Sequence, residues 1–177
     1  MKLDAELKLL KKWLDDKKDP PFFSDLKLKK LGFTFVGSNV YRYSLILNIL
    51  KKYKSSDNQE KCIDFGSYPG QLQEIIFTFL KIKFDLSGLH FNKSFKDYFS
   101  NYKIHDFDFE KSVDGDLEEN KEIYNLATSF NTIEHMVYPN MLLDNINYFT
   151  KMDGHLILTT DNISTLKNIL RMIFGGK

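Results

Sequence analysis

The chain has 177 residues, enough for one domain with a sizeable core. Hydrophobic residues make up 42% and charged residues 28%, which is typical of a folded protein and not of a disordered one. The formal net charge of +1 gives no general case for a nucleic-acid-binding protein, so no nucleic-acid partner is expected.

The single cysteine, Cys62, excludes an internal disulfide. The first residues are charged throughout and contain no apolar leader run. No apolar run approaches the ~20 residues that a bilayer span needs, so no integral membrane segment is expected. Together these features predict a cytoplasmic protein.

The N-terminal part of the chain is predicted to be helical. A first amphipathic helix is indicated by leucines at helical spacing, namely Leu3, Leu7, Leu10 and Leu14. Its lysine-rich face is either simply solvated or a membrane-surface face, and the acidic residues mixed into it weaken the second interpretation. Pro20 and Pro21 end this helix, and a second is predicted from Tyr41 to Tyr53. We expect an N-terminal helical region at 1–54 and a second domain at 55–177.

From residue 61 onward, predicted strands alternate with predicted helices. The strands are expected at 61–66, 83–91, 102–108, 123–131 and 154–160, and the helices at 70–82, 93–99, 139–152 and 162–174. An acidic loop at 110–122 precedes the fourth strand. This alternation predicts βαβ units and a parallel α/β sheet with both faces covered.

A glycine turn, "DFGSYPGQ" at 64–71, follows the first predicted strand of this sheet. Ligands of open parallel sheets bind at the carboxyl ends of the strands, and glycine lets the backbone approach them closely. The nicotinamide fingerprint and the phosphate loop are both absent. With the Asp64 carboxylate aimed at the crevice, a ligand with a cationic end and a ribose fits better than a pyrophosphate. The alternative is a tight turn without a ligand.

Five segments in order resemble the motifs of class I S-adenosylmethionine-dependent methyltransferases. They are "KCIDFGSYPGQL", "LSGLHFNKSF", "HDFDFEK", "IYNLATSFNTIEHM" and "FTKMDGHLILTTDN". The resemblance extends from about Tyr41 to the end of the chain. It implies a Rossmann-like doubly wound parallel sheet of order 3-2-1-4-5 with N-terminal helices, and S-adenosylmethionine as cofactor. It also implies methyl transfer to a small molecule, a sugar or a lipid.

The resemblance assigns the first motif to the methionine and ribose part of the cofactor, through Asp64, Gly66, Ser67, Tyr68 and Gly70. A valine at Gly70 is therefore expected to abolish cofactor binding and to leave the fold intact. The run after strand five, "TTDNISTLKN", resembles relatives placed in cell-surface polysaccharide biosynthesis.

His90 stands where the family has an acid that holds the ribose hydroxyls, so His90→Asp is expected to tighten cofactor binding several-fold. Phe91 is expected to pack on the adenine. The resemblance assigns Asp108, or Asp106 if the register differs, to the adenine amino group, with Phe109 beside it. Asn131 is placed near the methionine end.

Glu134 and His135 are the candidate catalytic pair, because a histidine near neutral pH suits a general base. The alternative is that Glu134 orients a loop and His135 is an ordinary polar residue, since methyl transfer needs little more than alignment. No metal site is expected, because the four histidines show no ligand spacing and there is no cysteine cluster.

Two other functions stay open at the level of sequence. A non-catalytic cofactor- or partner-binding module with this fold is favoured by His90, and by Asp161 in place of the family's proline before Asn162. A nucleotide-binding oxidoreductase is disfavoured by the missing nicotinamide fingerprint.

The family usually adds an antiparallel pair of strands after strand five and its helix, and this sequence has no residues for them after Lys177. Strand five would then be a sheet edge. Either a partner chain covers this edge, or the chain is a C-terminally shortened relative with part of its acceptor pocket missing. The second interpretation is favoured. An exposed edge predicts self-association, and a shortened acceptor pocket predicts cofactor binding with weak or absent turnover.

Overall fold

The structure, a computed structural model, describes residue 10 and residues 29–53, 60–113 and 115–160. The predicted helix at 162–174 and all of the first predicted helix except Leu10 lie outside these residues. Leu10 is helical and fully buried. Within the described residues, no helix is both long enough and apolar enough to cross a bilayer.

The described part contains four helices and five strands. The helices are α1 (Lys29–Tyr53), α2 (Gln71–Leu80), α3 (Lys93–Tyr98) and α4 (Pro139–Phe149). The strands are β1 (Cys62–Phe65), β2 (Phe84–Gly88), β3 (Ile104–Asp106), β4 (Tyr124–Phe130) and β5 (Thr150–Thr159). Two 3₁₀ helices lie at Gly115–Asn120 and Ile133–His135.

The five strands form one parallel sheet of order β3-β2-β1-β4-β5, which confirms the predicted Rossmann-like α/β fold. β1 is central and all four of its residues are buried. Asp64 pairs with Leu86 of β2 on one side and with Thr128 of β4 on the other. The carboxyl ends of β1, β2, β3 and β4 therefore meet at one edge of the sheet, where the glycine turn begins.

Two apolar clusters cover the sheet. One combines Leu10 and residues of α1, α2 and α3 with strand residues such as Leu86. The other contains Ile63 and Phe65 of β1 together with α4 residues such as Phe149. Because neighbouring residues of a strand face opposite sides, Cys62 and Ile63 of β1 belong to different clusters. α1 thus packs in the same apolar cluster as the strands that follow it.

The beginning of α1 and the boundary between α4 and β5 differ most from the prediction, and the other element ends differ by up to three residues. α1 begins at Lys29 and not near Tyr41, so the helix continues through Gly32 and Gly37 despite the low helix propensity of glycine. α4 ends at Phe149 and not at Met152, since Thr150 already pairs with Tyr124 as the first residue of β5. The β4–β5 register then shifts, and the exposed start of β5 accounts for the misleading helix-like pattern.

Candidate functional site

The glycine turn after β1 is held against β2 by its own backbone. Gly66 has a φ of +88°, and the N–H groups of Gly66 and Ser67 both donate to the Ser87 carbonyl at 3.0 Å. A Cβ at Gly66 would lie 2.0 Å from Oγ1 of Thr132, so only glycine fits there. Because β2 already uses these two N–H groups, the turn does not form a phosphate cradle.

Two cavities adjoin the glycine turn, and the smaller one, of about 140 Å³, lies between the turn and α1. A basic residue, Arg42, and an acidic residue, Asp64, both line it. Five of the predicted site residues line it besides Asp64, namely Gly66, Ser67, Tyr68, Gly70 and Asn131. This cavity is suited to a ligand end that carries both charges.

Asp64, which lines the smaller cavity, is almost fully buried. Its Oδ2 accepts a hydrogen bond from Nε2 of Gln73 at 2.5 Å, and its Oδ1 accepts one from Oγ1 of Thr128 at 2.5 Å. Desolvation by burial raises the pKa of Asp64 to about 6, against the opposing effect of the Thr128 hydrogen bond. Near neutral pH the site therefore holds a buried negative charge that a cationic group would neutralise.

A larger cavity of about 420 Å³ adjoins the first, and both are lined by Gly66, Tyr68 and Asn131. Its walls are mainly apolar and include Gly88, Leu89, Phe109, Met136 and Val137, with Asp108, Glu110, Thr132 and His135 as the polar lining. An apolar cavity with a few convergent polar groups is the usual form of a small-molecule site.

The turn that follows β3, at residues 107–111, is called the post-β3 turn below. Asp108 lies in this turn and lines the larger cavity. Its Oδ1 accepts a hydrogen bond from the backbone N–H of Glu110 at 3.0 Å, and Lys111 lies 3.4 Å from Oδ2. The N–H of Glu110 is the main cause that lowers the pKa of Asp108. Asp106, the alternative from sequence, does not line either cavity, because its carboxylate bonds the N–H of His90 at 2.8 Å and Lys96 at 2.7 Å.

Asn131 joins the two cavities at the end of β4. It has a φ of +54°, a conformation that asparagine tolerates better than most residues. Its N–H donates to the Thr159 carbonyl at 3.0 Å, and its Oδ1 accepts from Oγ1 of Thr159 at 3.0 Å. β5 thus fixes Asn131, which lines both cavities.

Three predicted site residues lie outside both cavities. His90 is exposed and has a φ of +60°. Glu134 is exposed in the second 3₁₀ helix, whereas its neighbour His135 lines the larger cavity. Phe91 is buried and stacks on Phe95 with ring centroids 4.4 Å apart. Aromatic packing beneath Gly88 therefore takes up the ring that the sequence assigned to the adenine.

Gly70 is required for a reason that differs from the prediction. It precedes α2 with a φ of +85°, and a Cβ there would lie 2.3 Å from the ring of Phe99. Phe99 is almost fully buried. A valine at Gly70 would therefore disturb the core as well as the cavity, which contradicts the expectation that the fold stays intact.

The sequence did not single out several residues of the site. They are Arg42 and Tyr43 in the smaller cavity, Gln73 and Thr128 on Asp64, and Thr132 and Glu110 in the larger cavity. One sequence feature could have drawn attention to Arg42, because it is one of only two arginines in a chain with 25 lysines and arginines. The other residues are polar types common on any strand or loop.

The two cavities together suit an elongated ligand. At one end a guanidinium and a carboxylate match a zwitterion, and at the other an apolar cavity with the Asp108 acceptor matches a heteroaromatic ring that carries an amino group. Among the described residues, no three His, Cys, Asp or Glu side chains are grouped to hold a metal ion.

Residues 37–172 match the family described as a methyltransferase domain. Comparison with curated proteins gave no match. One similar solved structure is a proposed sarcosine dimethylglycine methyltransferase from Galdieria sulphuraria, with a TM-score of 0.57, 15% identity, and coverage of 76% of this chain and 53% of that one.

Two further structures share the fold. A proposed S-adenosyl-L-methionine-dependent methyltransferase from Methanococcus maripaludis has a TM-score of 0.55, 16% identity, and coverage of 91% of this chain and 74% of that one. Coclaurine N-methyltransferase, bound to N-methylheliamine and SAH, has a TM-score of 0.52, 19% identity, and coverage of 89% and 50%. The chain therefore spans about half the length of the first and the last of these three structures.

Proposed function

The chain belongs to the methyltransferase-domain family, and we propose that it binds S-adenosylmethionine and transfers the methyl group to a small-molecule, sugar or lipid acceptor. The observation that carries this proposal is the pair of adjoining cavities joined at Gly66, Tyr68 and Asn131. They lie at the carboxyl ends of the parallel strands, where this fold class binds ligands.

The chemistry of the lining residues fits this cofactor. The methionine end of S-adenosylmethionine carries an ammonium and a carboxylate, which suit Asp64 and Arg42 in the smaller cavity. The adenine carries a flat apolar ring with an amino group, which suits Phe109 and Asp108 in the larger cavity. Asn131, at the junction, would lie near the middle of the molecule.

When bound, S-adenosylmethionine supplies a methyl group already activated by its sulfonium. The residues of this chain then have to bind, orient and desolvate it, because alignment of the reacting atoms supplies most of the acceleration in such transfers. The anionic Asp64 would hold the ammonium, while Tyr68 and Asn131 fix the junction between the two cavities. His135 lines the larger cavity and Glu134 does not, so we propose His135, and not Glu134, as the candidate general base of the predicted catalytic pair.

The acceptor is proposed at the level of chemical class. The structure of coclaurine N-methyltransferase contains N-methylheliamine, a small molecule, which supports an acceptor of that size for a related fold. The resemblance of the run after β5 to relatives in cell-surface polysaccharide biosynthesis adds a sugar or lipid-linked sugar as a narrower proposal. Most of that run lies outside the described residues.

Calorimetry with S-adenosylhomocysteine tests the proposal. We expect the wild-type chain to bind it in a 1:1 ratio, and we expect Arg42→Leu to weaken binding about tenfold by removing the cationic partner of the carboxylate. Lys61→Leu, an exposed lysine before β1 and outside both cavities, is the matched control and should bind as wild type does. Binding of NADH but not of S-adenosylhomocysteine would replace the proposal with an oxidoreductase.

A second candidate is a non-catalytic binding module. The observation in its favour is that, over the described residues, no carboxylate from the end of β2 lines the larger cavity, and Glu134 lies outside both cavities. The two candidates separate when labelled S-adenosylmethionine is incubated with the chain and a panel of small-molecule, sugar and lipid acceptors. Tight cofactor binding with no label transferred to any acceptor favours the binding module.

A further inference from the structure

Glu110 connects two segments that both line the larger cavity. It lies in the turn after β3, next to Asp108 and Phe109, and it lines the cavity with them. Its Oε1 accepts hydrogen bonds from the backbone N–H groups of Val137 at 2.5 Å and Tyr138 at 3.4 Å. Val137 lines the same cavity, so one carboxylate oxygen links the post-β3 turn to the segment that follows β4, at residues 131–138.

The post-β3 turn is also held from below by α4. Asn145 is buried, and its Nδ2 donates to the carbonyls of Phe109 at 3.0 Å and Lys111 at 2.9 Å. Within the turn, the N–H of Lys111 donates to the Asp108 carbonyl at 3.2 Å. The turn is therefore fixed on its buried side by Asn145 and on its exposed side by Glu110.

We propose that Glu110 is a positioning residue, which joins the two walls of the larger cavity and so fixes Asp108 and Phe109 for recognition of the amino-bearing edge of an adenine. This inference rests on the proposed function. Asp108 selects adenine only if its carboxylate stands where the amino group arrives, because a hydrogen bond weakens steeply with poor geometry. Glu110 contributes to this geometry in two ways. Its N–H donates to the Asp108 carboxylate, and its own carboxylate accepts from the N–H of Val137.

The test compares two ligands that differ at this edge of the base. S-Adenosylhomocysteine carries the amino group, and S-inosylhomocysteine carries a carbonyl in its place, which an anionic acceptor disfavours. We measure both dissociation constants by calorimetry for wild type, Glu110→Leu and Glu110→Gln. Glu119→Leu, the same change at an exposed glutamate outside both cavities, is the matched control.

We expect wild type to prefer the adenine ligand, and we expect Glu110→Leu to reduce that preference about tenfold through weaker binding of S-adenosylhomocysteine. Glu110→Gln keeps an oxygen acceptor for the Val137 N–H and should retain most of the preference. Glu119→Leu should leave both constants unchanged. A merely structural role would weaken both ligands equally and leave their ratio intact.

Val137→Pro removes the same hydrogen bond from the other side and covers the case in which Glu110→Leu does not fold. The preceding residue, Met136, already has the extended conformation (φ −84°, ψ 137°) that a following proline requires. Val137 is 72% exposed, so the substitution does not open the core. We expect the same loss of adenine preference as for Glu110→Leu.

An unchanged ligand ratio in folded Glu110→Leu, or in Val137→Pro, overturns the positioning role and leaves the proposed function standing. A Gln variant as impaired as the Leu variant also overturns it, because the carboxylate charge and not the link would then matter. If wild type binds neither ligand, the proposed function fails and this inference fails with it.

Discussion

Asp64 combines a cost to stability with a proposed role in binding. Its carboxyl is almost fully buried, and desolvation raises its pKa to about 6, from 3.8 in an unperturbed carboxyl. At pH values between 3.8 and about 6, Asp64 is therefore protonated in the folded protein and ionised in the unfolded chain. Since the native state holds more protons in this window, the contribution of Asp64 to stability falls as the pH rises from about 4 to about 6, and stays low above it.

Asp64→Asn removes that buried charge. We expect the free energy of unfolding at pH 7.5 to rise by roughly 1–3 kcal/mol, because a tenfold change in proton affinity between the folded and unfolded states corresponds to about 1.4 kcal/mol. The Thr128 hydroxyl can still donate to the amide oxygen, and the Gln73 amide can rotate to accept from the new NH₂ group. Urea unfolding at several pH values measures the change.

The same substitution should weaken binding of S-adenosylmethionine about tenfold, since the ammonium of the cofactor loses its proposed anionic partner. At pH 4, where the native carboxyl is already protonated, wild type and variant should have similar stabilities. A variant that is less stable than wild type at pH 7.5 would show that the Gln73 and Thr128 hydrogen bonds outweigh the desolvation of the charge.

Single residues also mark where sequence reasoning reached its limit. The resemblance placed Asp108, Phe109 and Asn131 at positions that do line the cavities. It could not foresee that Phe91 packs against Phe95, because a motif position does not reveal which way a ring turns. It could not foresee the φ of +60° at His90 either, since that depends on Asp106 from another strand.

At the scale of elements, the start of α2 depends on a contact with the end of α3. Gly70 precedes α2 in the left-handed region, and its missing Cβ leaves room for the ring of Phe99. We expect Gly70→Ala to destabilise the fold by roughly 2–4 kcal/mol, from backbone strain together with overpacking. Thermal or urea unfolding of the variant measures this loss.

A double-mutant cycle separates the two causes. Phe99→Leu makes space beside Gly70, so Gly70→Ala should cost less in that background than in wild type. The coupling between the two changes should be on the order of 1 kcal/mol or more, as for residues in contact. Strict additivity would mean that the strained φ alone explains the requirement for glycine.

The elements themselves were largely predictable. Alternating apolar runs and turn signals located all five strands, and the resemblance supplied their order. The beginning of α1 was not predictable, because the low helix propensity of Gly32 and Gly37 argues against a helix there. The end of α4 was not predictable either, because it depends on the pairing of Thr150 with Tyr124 from another strand. Arg42 was missed for a similar reason. It lines the smaller cavity from α1, and no sequence motif indicates where α1 packs on the sheet.

At the scale of the whole molecule, β5 is one of the two edge strands of the sheet within the described residues, since β4 is its sole partner there. Apolar residues of β5 are exposed, including Leu156 at 42% and Met152 at 99%. An edge with free hydrogen-bonding groups and apolar side chains favours pairing with another chain.

We therefore expect self-association that increases with protein concentration, and we expect Leu156→Lys to weaken it. Charged residues on an edge strand discourage pairing between chains. Sedimentation velocity over a wide concentration range measures both proteins. A wild-type chain that sediments as a monomer throughout would contradict association through this edge.

The central claim is that one cofactor occupies both cavities, and a crystal structure of the chain with S-adenosylhomocysteine tests it most directly. We expect the amino-acid end of the ligand beside Arg42 and Asp64, its middle beside Asn131, and its adenine beside Asp108 and Phe109. A ligand bound elsewhere, or bound with the adenine beside Asp64, would contradict it.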